Sequence, residues 1–368
     1  VKKDSEIIIQ KIMAHLTDTL GDEDFQTLAL ELFRYQFQYN LPYKKFCQAQ
    51  QKTPLTVRDW RDIPPISIQG FKALTLSCEP IEDCEAVFMT SGTTNPEKRG
   101  RHYHPTLKVW DRSMKGPFKD FVLPDRERIT TLVISPTEDQ NRFSSLARYL
   151  TNAVTHFGTE RSRTFFNENG LDVEGVVRTL RQSEETGDPV LLMGATFSYV
   201  HLLDALKEKD YRFSLPEGSR IFDTGGFKGQ SREVEMEALY QQFEEIFGVK
   251  REMCINMYGM TELSSQMYDQ TIRTKFSDGP VIFDKKGPAW VRTVVLDPNT
   301  LTPVQPGEIG VLAHYDLANW NSCLAVLTED LGIEKENGFK LLGRIKGSEA
   351  RGCSIAVDQL LSANAIQG

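Results

Sequence analysis

Between Phe88 and Lys98 the chain reads FMTSGTTNPEK, an apolar run followed at once by Thr90, Ser91, Gly92, Thr93 and Thr94, and then by Lys98. Small and hydroxylic residues behind a strand can turn backbone N–H groups and hydroxyls toward phosphate oxygens, and the lysine adds a positive charge. The chemistry is that of a nucleoside-triphosphate loop. It is not the Walker A form, which ends in Gly-Lys-Ser/Thr at the mouth of a helix. Taken alone, the stretch reads equally well as a polar surface turn carrying one lysine.

Further along, MYGMTE supplies the ring of Tyr258 for stacking, then Gly259, the hydroxyl of Thr261 and the carboxylate of Glu262. Such a carboxylate suits Mg2+ held against phosphate oxygens. In DTGG, Gly225 and Gly226 allow a planar base to approach the backbone closely. Asp330 in TEDLG suits hydrogen bonding to ribose hydroxyls. Arg344 in LLGR offers a bidentate fork to a phosphate or to ribose. Singly, each has an ordinary alternative: a surface carboxylate, a turn former, an ion pair at a strand edge.

These residues need elements to hold them. ITTLVIS, PVLLMGA, SRIFDTGG and CINMYGMTE read as apolar strands, separated by helical patterns over SSLARYLTNAV, Val173 to Arg181, Tyr199 to Lys209 and Ser231 to Phe247. Strands alternating with helices of this length imply a parallel sheet covered on both faces. Ligands bind beyond the carboxyl ends of such strands, which is where TSGTT, DTGGFKG and MYGMTE fall. Residues up to about Gln51 read as two amphipathic helices, the second capped by Asp24 and striped by Phe25, Leu28, Leu32 and Phe33. In DIPPISIQGFKAL, Pro64 and Pro65 exclude a helix, so the connector is expected to run extended across a surface. From Gly287 the texture becomes β-like, with turns at Asp297-Pro298-Asn299 and Pro306-Gly307.

Composition narrows the classes. A chain of 368 residues can bury a sizeable core, and a formal charge of −8 with scattered cations argues against nucleic acid or an anionic membrane as partner. There is no bilayer-length apolar run and VKKDSEIII is no secretion signal, so a cytoplasmic protein is expected. The six cysteines (Cys47, Cys78, Cys84, Cys254, Cys323, Cys353) show no CxxC pair or zinc spacing. All but Cys353 are expected to be small buried residues.

Together and in this order the motifs resemble the adenylate-forming superfamily of acyl-CoA synthetases and firefly luciferase. TSGTTNPEK is similar to its phosphate loop, DTGGFKG and NMYGMTE to its adenine-site segments, and TEDLG with NGFKLLGR to its ribose-binding stretch. Asn95 and Glu97 depart from the loop's Gly-x-Pro-Lys, and Glu329 replaces a glycine beside Asp330. Within the superfamily the chain most resembles the acyl-protein synthetase (LuxE) family, a likeness extended by NLPYKKFC, read near the end of the second helix, by IPPISIQGFK and by RGCS.

The resemblance implies the large-domain fold of adenylate-forming enzymes: α/β, with layered parallel sheets flanked by helices and a small β subdomain. The expected divisions are a helical segment and connector (1–85), a nucleotide- and acyl-binding core (86–286), a β subdomain (287–343) and a short remnant (344–368). The mobile C-terminal domain of the superfamily is expected to be largely absent, since 17 residues follow Arg351. An acceptor thiol would then be needed, and Cys353 stands where the family carries its acyl-accepting cysteine, with Arg351 and Lys346 nearby to favour the thiolate. The implied reaction uses ATP and Mg2+ to activate a carboxylic acid, expected to be a long-chain fatty acid, as acyl-AMP. The acyl group then passes to Cys353 and on to an acyl reductase partner. Coenzyme A or an amine as acceptor, and a non-catalytic nucleotide-binding module, are the alternatives.

Overall fold

The computed structural model describes residues 2–17, 19–91, 99–225, 231–232, 234–345 and 351–365, with the side chains of 351–356 excepted. The chain divides into two compact units: Val1–Gly116, Met260–Gln266 and Asp284–Gly368 form the first, and Pro117–Gly259 with Met267–Phe283 the second.

The first unit opens with three helices, α1 (Lys3–His15), α2 (Asp22–Tyr39) and α3 (Leu41–Ala49), where the periodicity suggested two. The break is local: Asn40 leaves the helical backbone, its side chain accepts from Tyr43 N at 3.3 Å, and Pro42 occupies the first turn of α3. NLPYKKFC therefore starts a third helix. Asp24 does not cap α2 either. Gly21 holds that position, and Asp22, Glu23 and Asp24 fill the first turn, where carboxylates meet the positive end of the helix dipole. Phe25, Leu28, Leu32 and Phe33 form the expected buried stripe.

The proline connector is buried, not superficial. Ile63 and Ile66 are fully enclosed, and β1 (Ile66–Ser67) pairs in parallel with Val326 and Leu327. A four-residue helix, α4 (Gly70–Ala73), follows. Next, β2 (Ala86–Met89) and β3 (Arg101–His104) form a two-stranded antiparallel ribbon, with Met89 opposite Arg101. The phosphate-loop stretch thus joins the strands of a hairpin. It does not follow a strand of a parallel sheet. Phe88 anchors the ribbon, its ring 5.4 Å from that of Trp110 in α5 (Lys108–Pro117).

In the second unit the alternation read from sequence holds. β4 (Thr130–Val133), α6 (Ser145–Phe157), β5 (Arg163–Thr164), the small hairpin β6 (Phe166–Asn167) and β7 (Gly170–Leu171), and α7 (Val173–Thr186) come first. Then follow β8 (Val190–Ala195), α8 (Thr196–Glu208), β9 (Arg220–Thr224), α9 (Met236–Phe247), β10 (Cys254–Tyr258), β11 (Met267–Asp269) and α10 (Thr271–Lys275). The sheet order is β11-β10-β9-β8-β4-β5, parallel throughout except for β11. Leu192, Tyr199, Leu202, Ile221, Phe243 and Phe247 belong to its dry core. Arg220 is buried with its charge met, donating to both carboxylate oxygens of Asp125 at 2.8 and 3.0 Å and to Val122 O at 2.8 Å.

The chain returns to the first unit with β12 (Lys285–Lys286), β13 (Val291–Leu296), β14 (Ile309–Asp316), β15 (Ala325–Lys335) and β16 (Gly338–Arg344), then α11 (Arg351–Ala365). Strands β13-β14-β15-β16-β12 pair antiparallel in that order, which is the β-like texture expected after Gly287. Helix α11 returns to the N-terminal elements. Leu360 is fully buried, and Asn364 Nδ2 donates to Pro42 O at 3.2 Å. No helix among the described residues is long and apolar enough to cross a membrane.

Candidate active site

Glu262 is the most heavily constrained of the residues singled out by chemistry. It lies in the first unit with 5% of its surface exposed, and burial pushes its carboxyl up to about 7, against the pull of Lys72 and Arg344 and with the push of Glu329. A buried carboxylate in this state favours a bound cation. Among the described residues no cluster of three or more His, Cys, Asp or Glu could hold a metal alone. One buried carboxylate of this kind is what Mg2+ uses when substrate phosphates complete its shell, so the residue present fits that ion.

Residues distant in sequence fix the backbone that carries Glu262. Asn319 Nδ2 donates to Glu262 O at 2.9 Å, while its Oδ1 accepts from Ser264 N at 2.7 Å. Asp316, fully enclosed, accepts from Ser264 N, Ser265 N, Ser265 Oγ and Ala318 N at 2.8–3.1 Å. His102 bridges Thr261 O and Ser322 Oγ, each at 2.9 Å. Burial draws its imidazole down to about 4, so the ring stays neutral near pH 7. Sequence reasoning did not find these three side chains. For Asp316 and Asn319 the available signal was a run of Asp, Asn, Asn and Ser (316–322) inside an otherwise apolar β region, and His102 had none.

The phosphate-loop stretch is partly visible. Thr90 and Ser91 are described, whereas Gly92, Thr93, Thr94 and Lys98 lie outside the described residues. Thr90 and Gly100 close the base of the loop: Thr90 N donates to Gly100 O, and Gly100 N to Thr90 Oγ1, both at 2.9 Å. A Cβ on Gly100 would lie 3.0 Å from Thr90 Cγ2, 3.4 Å from Lys72 Cγ and 3.5 Å from Glu262 Oε1. Thr90, Lys72 and Glu262 thus all border the space that a side chain at residue 100 would fill.

Asp330 and Arg344 face each other directly across β15 and β16, with their charges 3.8 Å apart. The Asp330 side chain is 14% exposed and that of Arg344 71%, so the arginine head is open to solvent. Next to Asp330, Glu329 accepts from Gln69 Nε2, and its carbonyl accepts from Ile345 N at 2.8 Å.

Other predicted site residues lie in the second unit, at the carboxyl ends of its parallel strands. Gly225 follows β9 with φ +74°, a left-handed conformation that favours glycine. Thr196 Oγ1 lies against this turn, its one hydroxyl hydrogen offered to Asp223 Oδ2 at 3.1 Å, Thr224 O at 3.1 Å or Gly225 O at 3.2 Å. Tyr258 ends β10 with its ring largely covered, and Gly259 follows it. Gly226 lies outside the described residues. A cleft of about 230 Å³ in this unit, lined by Arg161, Arg163 and Asp188, sits instead by Thr130 and Val190 at the amino ends of β4 and β8. It is remote from the ligand end of such a sheet. Cys353 falls in the first turn of α11, with its side chain outside the described atoms. Of the other cysteines, Cys47, Cys78, Cys254 and Cys323 are buried and Cys84 is half-buried.

The fold is that of the adenylate-forming ligases. An open-conformation 2-hydroxyisobutyryl-CoA ligase complexed with 2-HIB-AMP and CoA matches with TM-score 0.58 at 14% identity, covering 88% of this chain and 69% of that one. ATP-bound MatB from Rhodopseudomonas palustris matches with TM-score 0.50 at 18% identity over 72% of this chain, which spans 49% of MatB's length. The family is narrower than the fold. The model of the family described as acyl-protein synthetase, LuxE, matches residues 10–362, so the chain belongs to that family. Long-chain-fatty-acid–luciferin-component ligases of Vibrio harveyi and Aliivibrio fischeri are each 22% identical to it, over 90% and 92% of this chain and 86% and 88% of theirs. The protein is an ATP-dependent, acid-adenylating ligase.

Proposed function

We propose that this protein activates a long-chain fatty acid as its acyl-adenylate, transfers the acyl group to Cys353 as a thioester, and hands it to an acyl reductase in the cytoplasm. The observation that carries this reading is the buried Glu262, raised to about 7 and clamped by Asn319 beside the base of the phosphate-loop stretch. In the first step a carboxylate oxygen of the fatty acid attacks the α-phosphorus of ATP, and pyrophosphate leaves. Lys98, Thr93 and Thr94 meet the charge building on the phosphates, so the stabilisation is electrostatic. Mg2+ bound at Glu262 would neutralise part of that charge. Asp330 accepts from the ribose hydroxyls, with Arg344 beside it.

In the second step the Cys353 thiolate attacks the acyl carbon and AMP leaves. A place in the first turn of α11 supports that role, because a helix N-terminus favours a thiolate. Incubating the full chain with ATP, Mg2+ and radiolabelled long-chain fatty acid should label it through a hydroxylamine-sensitive bond. Equal labelling of Cys353→Ser through such a bond would remove Cys353 as acceptor.

A further inference from the structure

We propose that Lys72 is a phosphate-facing residue of this site: a cation that the proline connector delivers beside Glu262 to meet the triphosphate. The inference rests on the reading of the site as an ATP site. Four observations carry it.

The first is placement. Strand β1 is pinned to β15 through Ile66↔Val326 and Ser67↔Leu327, which fixes where α4 begins. Gly70 is packed so closely that a Cβ there would fall 2.7 Å from Leu360 Cδ2, and the Phe71 ring lies edge-on to His102 at 5.7 Å. The backbone of Lys72 is therefore held, although its side chain is exposed.

The second is convergence. Lys72 Cγ and Glu262 Oε1 both lie within 3.5 Å of the point a Cβ on Gly100 would occupy, with Thr90 Cγ2 closer still. The lysine has three more bonds to its ammonium, enough to reach that carboxylate or an anion beside it.

The third is charge. Lys72 and Arg344 are the cations acting on Glu262, and Glu329 is the opposing anion, its carboxylate engaged by Gln69 from the same connector. A triphosphate carries more negative charge than one divalent cation cancels, and a lysine beside the metal-holding carboxylate meets the remainder as a point charge.

The fourth is availability. The Lys72 ammonium forms no ion pair with a described residue, unlike Lys11, Lys52, Lys119, Lys209 and Lys275, each paired with an acid at 2.9 Å or less.

The test is fatty-acid-dependent exchange of labelled pyrophosphate into ATP by the full chain, comparing wild type with Lys72→Gln and Lys72→Arg, alongside thermal unfolding of each. Loss of one charge-assisted contact should raise KM for ATP by about tenfold or more in the glutamine variant. KM for the fatty acid and the melting temperature should barely move, and arginine should restore most of the ATP affinity. An unchanged KM for ATP in Lys72→Gln, with wild type active, overturns the role of Lys72 alone. So does a parallel rise in both KM values without rescue by arginine, which marks a structural role. Wild type that neither binds ATP nor exchanges pyrophosphate overturns the ATP reading and this proposal with it.

Discussion

Truncating Asn319 to alanine should damage the site without touching any residue that meets substrate. Its amide accepts from Ser264 N at 2.7 Å and donates to Glu262 O at 2.9 Å and to Cys323 O at 3.2 Å, from a position 1% exposed. Ser264 N keeps Asp316 as partner at 3.1 Å, so the loss falls on two enclosed carbonyls. A buried group deprived of its partner costs about 1–3 kcal/mol, giving about 2–4 kcal/mol once partial relaxation is allowed. At about 2–4 °C per kcal/mol for a unit of this size, the transition should fall by roughly 5–12 °C. Freed from its anchor, Glu262 loses orientation, and supports of this kind are worth about 10–100-fold in metal affinity or activity. The assay is pyrophosphate exchange across a Mg2+ titration, with thermal unfolding in parallel. A variant melting within about 2 °C of wild type, with unchanged Mg2+ dependence, would refute the claim that Asn319 positions Glu262.

Other perturbations separate the contributions. Gly100→Val puts side-chain atoms where a Cβ alone would already meet Thr90 at 3.0 Å, and should cost about 1–3 kcal/mol in unfolding experiments and weaken ATP binding measured by dialysis. Asp330→Asn should raise KM for ATP in steady-state exchange with little change in melting temperature, because Arg344 opposite it is 71% exposed. Arg220→Met leaves the Asp125 carboxylate with Arg126 Nε, 2.8 Å from Oδ2, as its remaining cationic partner, and should destabilise by about 3 kcal/mol, the low end for a broken buried pair because the Asp125 side chain is 13% exposed. In wild type, burial raises the Asp125 carboxyl but the hydrogen bonds and charges of Arg220 first and Arg126 second outweigh it, holding it down to about 2 from 3.8. A depressed carboxyl stabilises above its unfolded value and loses that contribution as pH falls through its folded one. Acid unfolding of wild type should therefore show a contribution lost between about pH 4 and 2 that is reduced in the variant, where only Arg126 still holds the carboxyl down.

The second unit was legible in the sequence because each strand there is a short apolar run between helices of ordinary length, and periodicity separates the two. The N-terminal region was not. The stripe of α2 continues in register with apolar residues beyond Asn40, so the break hides in a cap whose geometry only coordinates reveal. The connector was misjudged for a related reason: Pro64 and Pro65 do exclude a helix, but the partner that buries Ile66 is Val326, some 260 residues away. Glu262 and Asp330 stood out in the sequence because each sits inside one short motif. The groups that orient Glu262, His102, Asp316 and Asn319, sit on other strands and loops, and nothing in their local sequence points to it.

Adenylation is the step that every residue assigned to the nucleotide site serves. Exchange of labelled pyrophosphate into ATP should occur with the full chain only when a long-chain fatty acid and Mg2+ are both present, and should fall sharply in Glu262→Gln. Exchange that is absent with every fatty acid while ATP still binds, or that proceeds unchanged in Glu262→Gln, would contradict it.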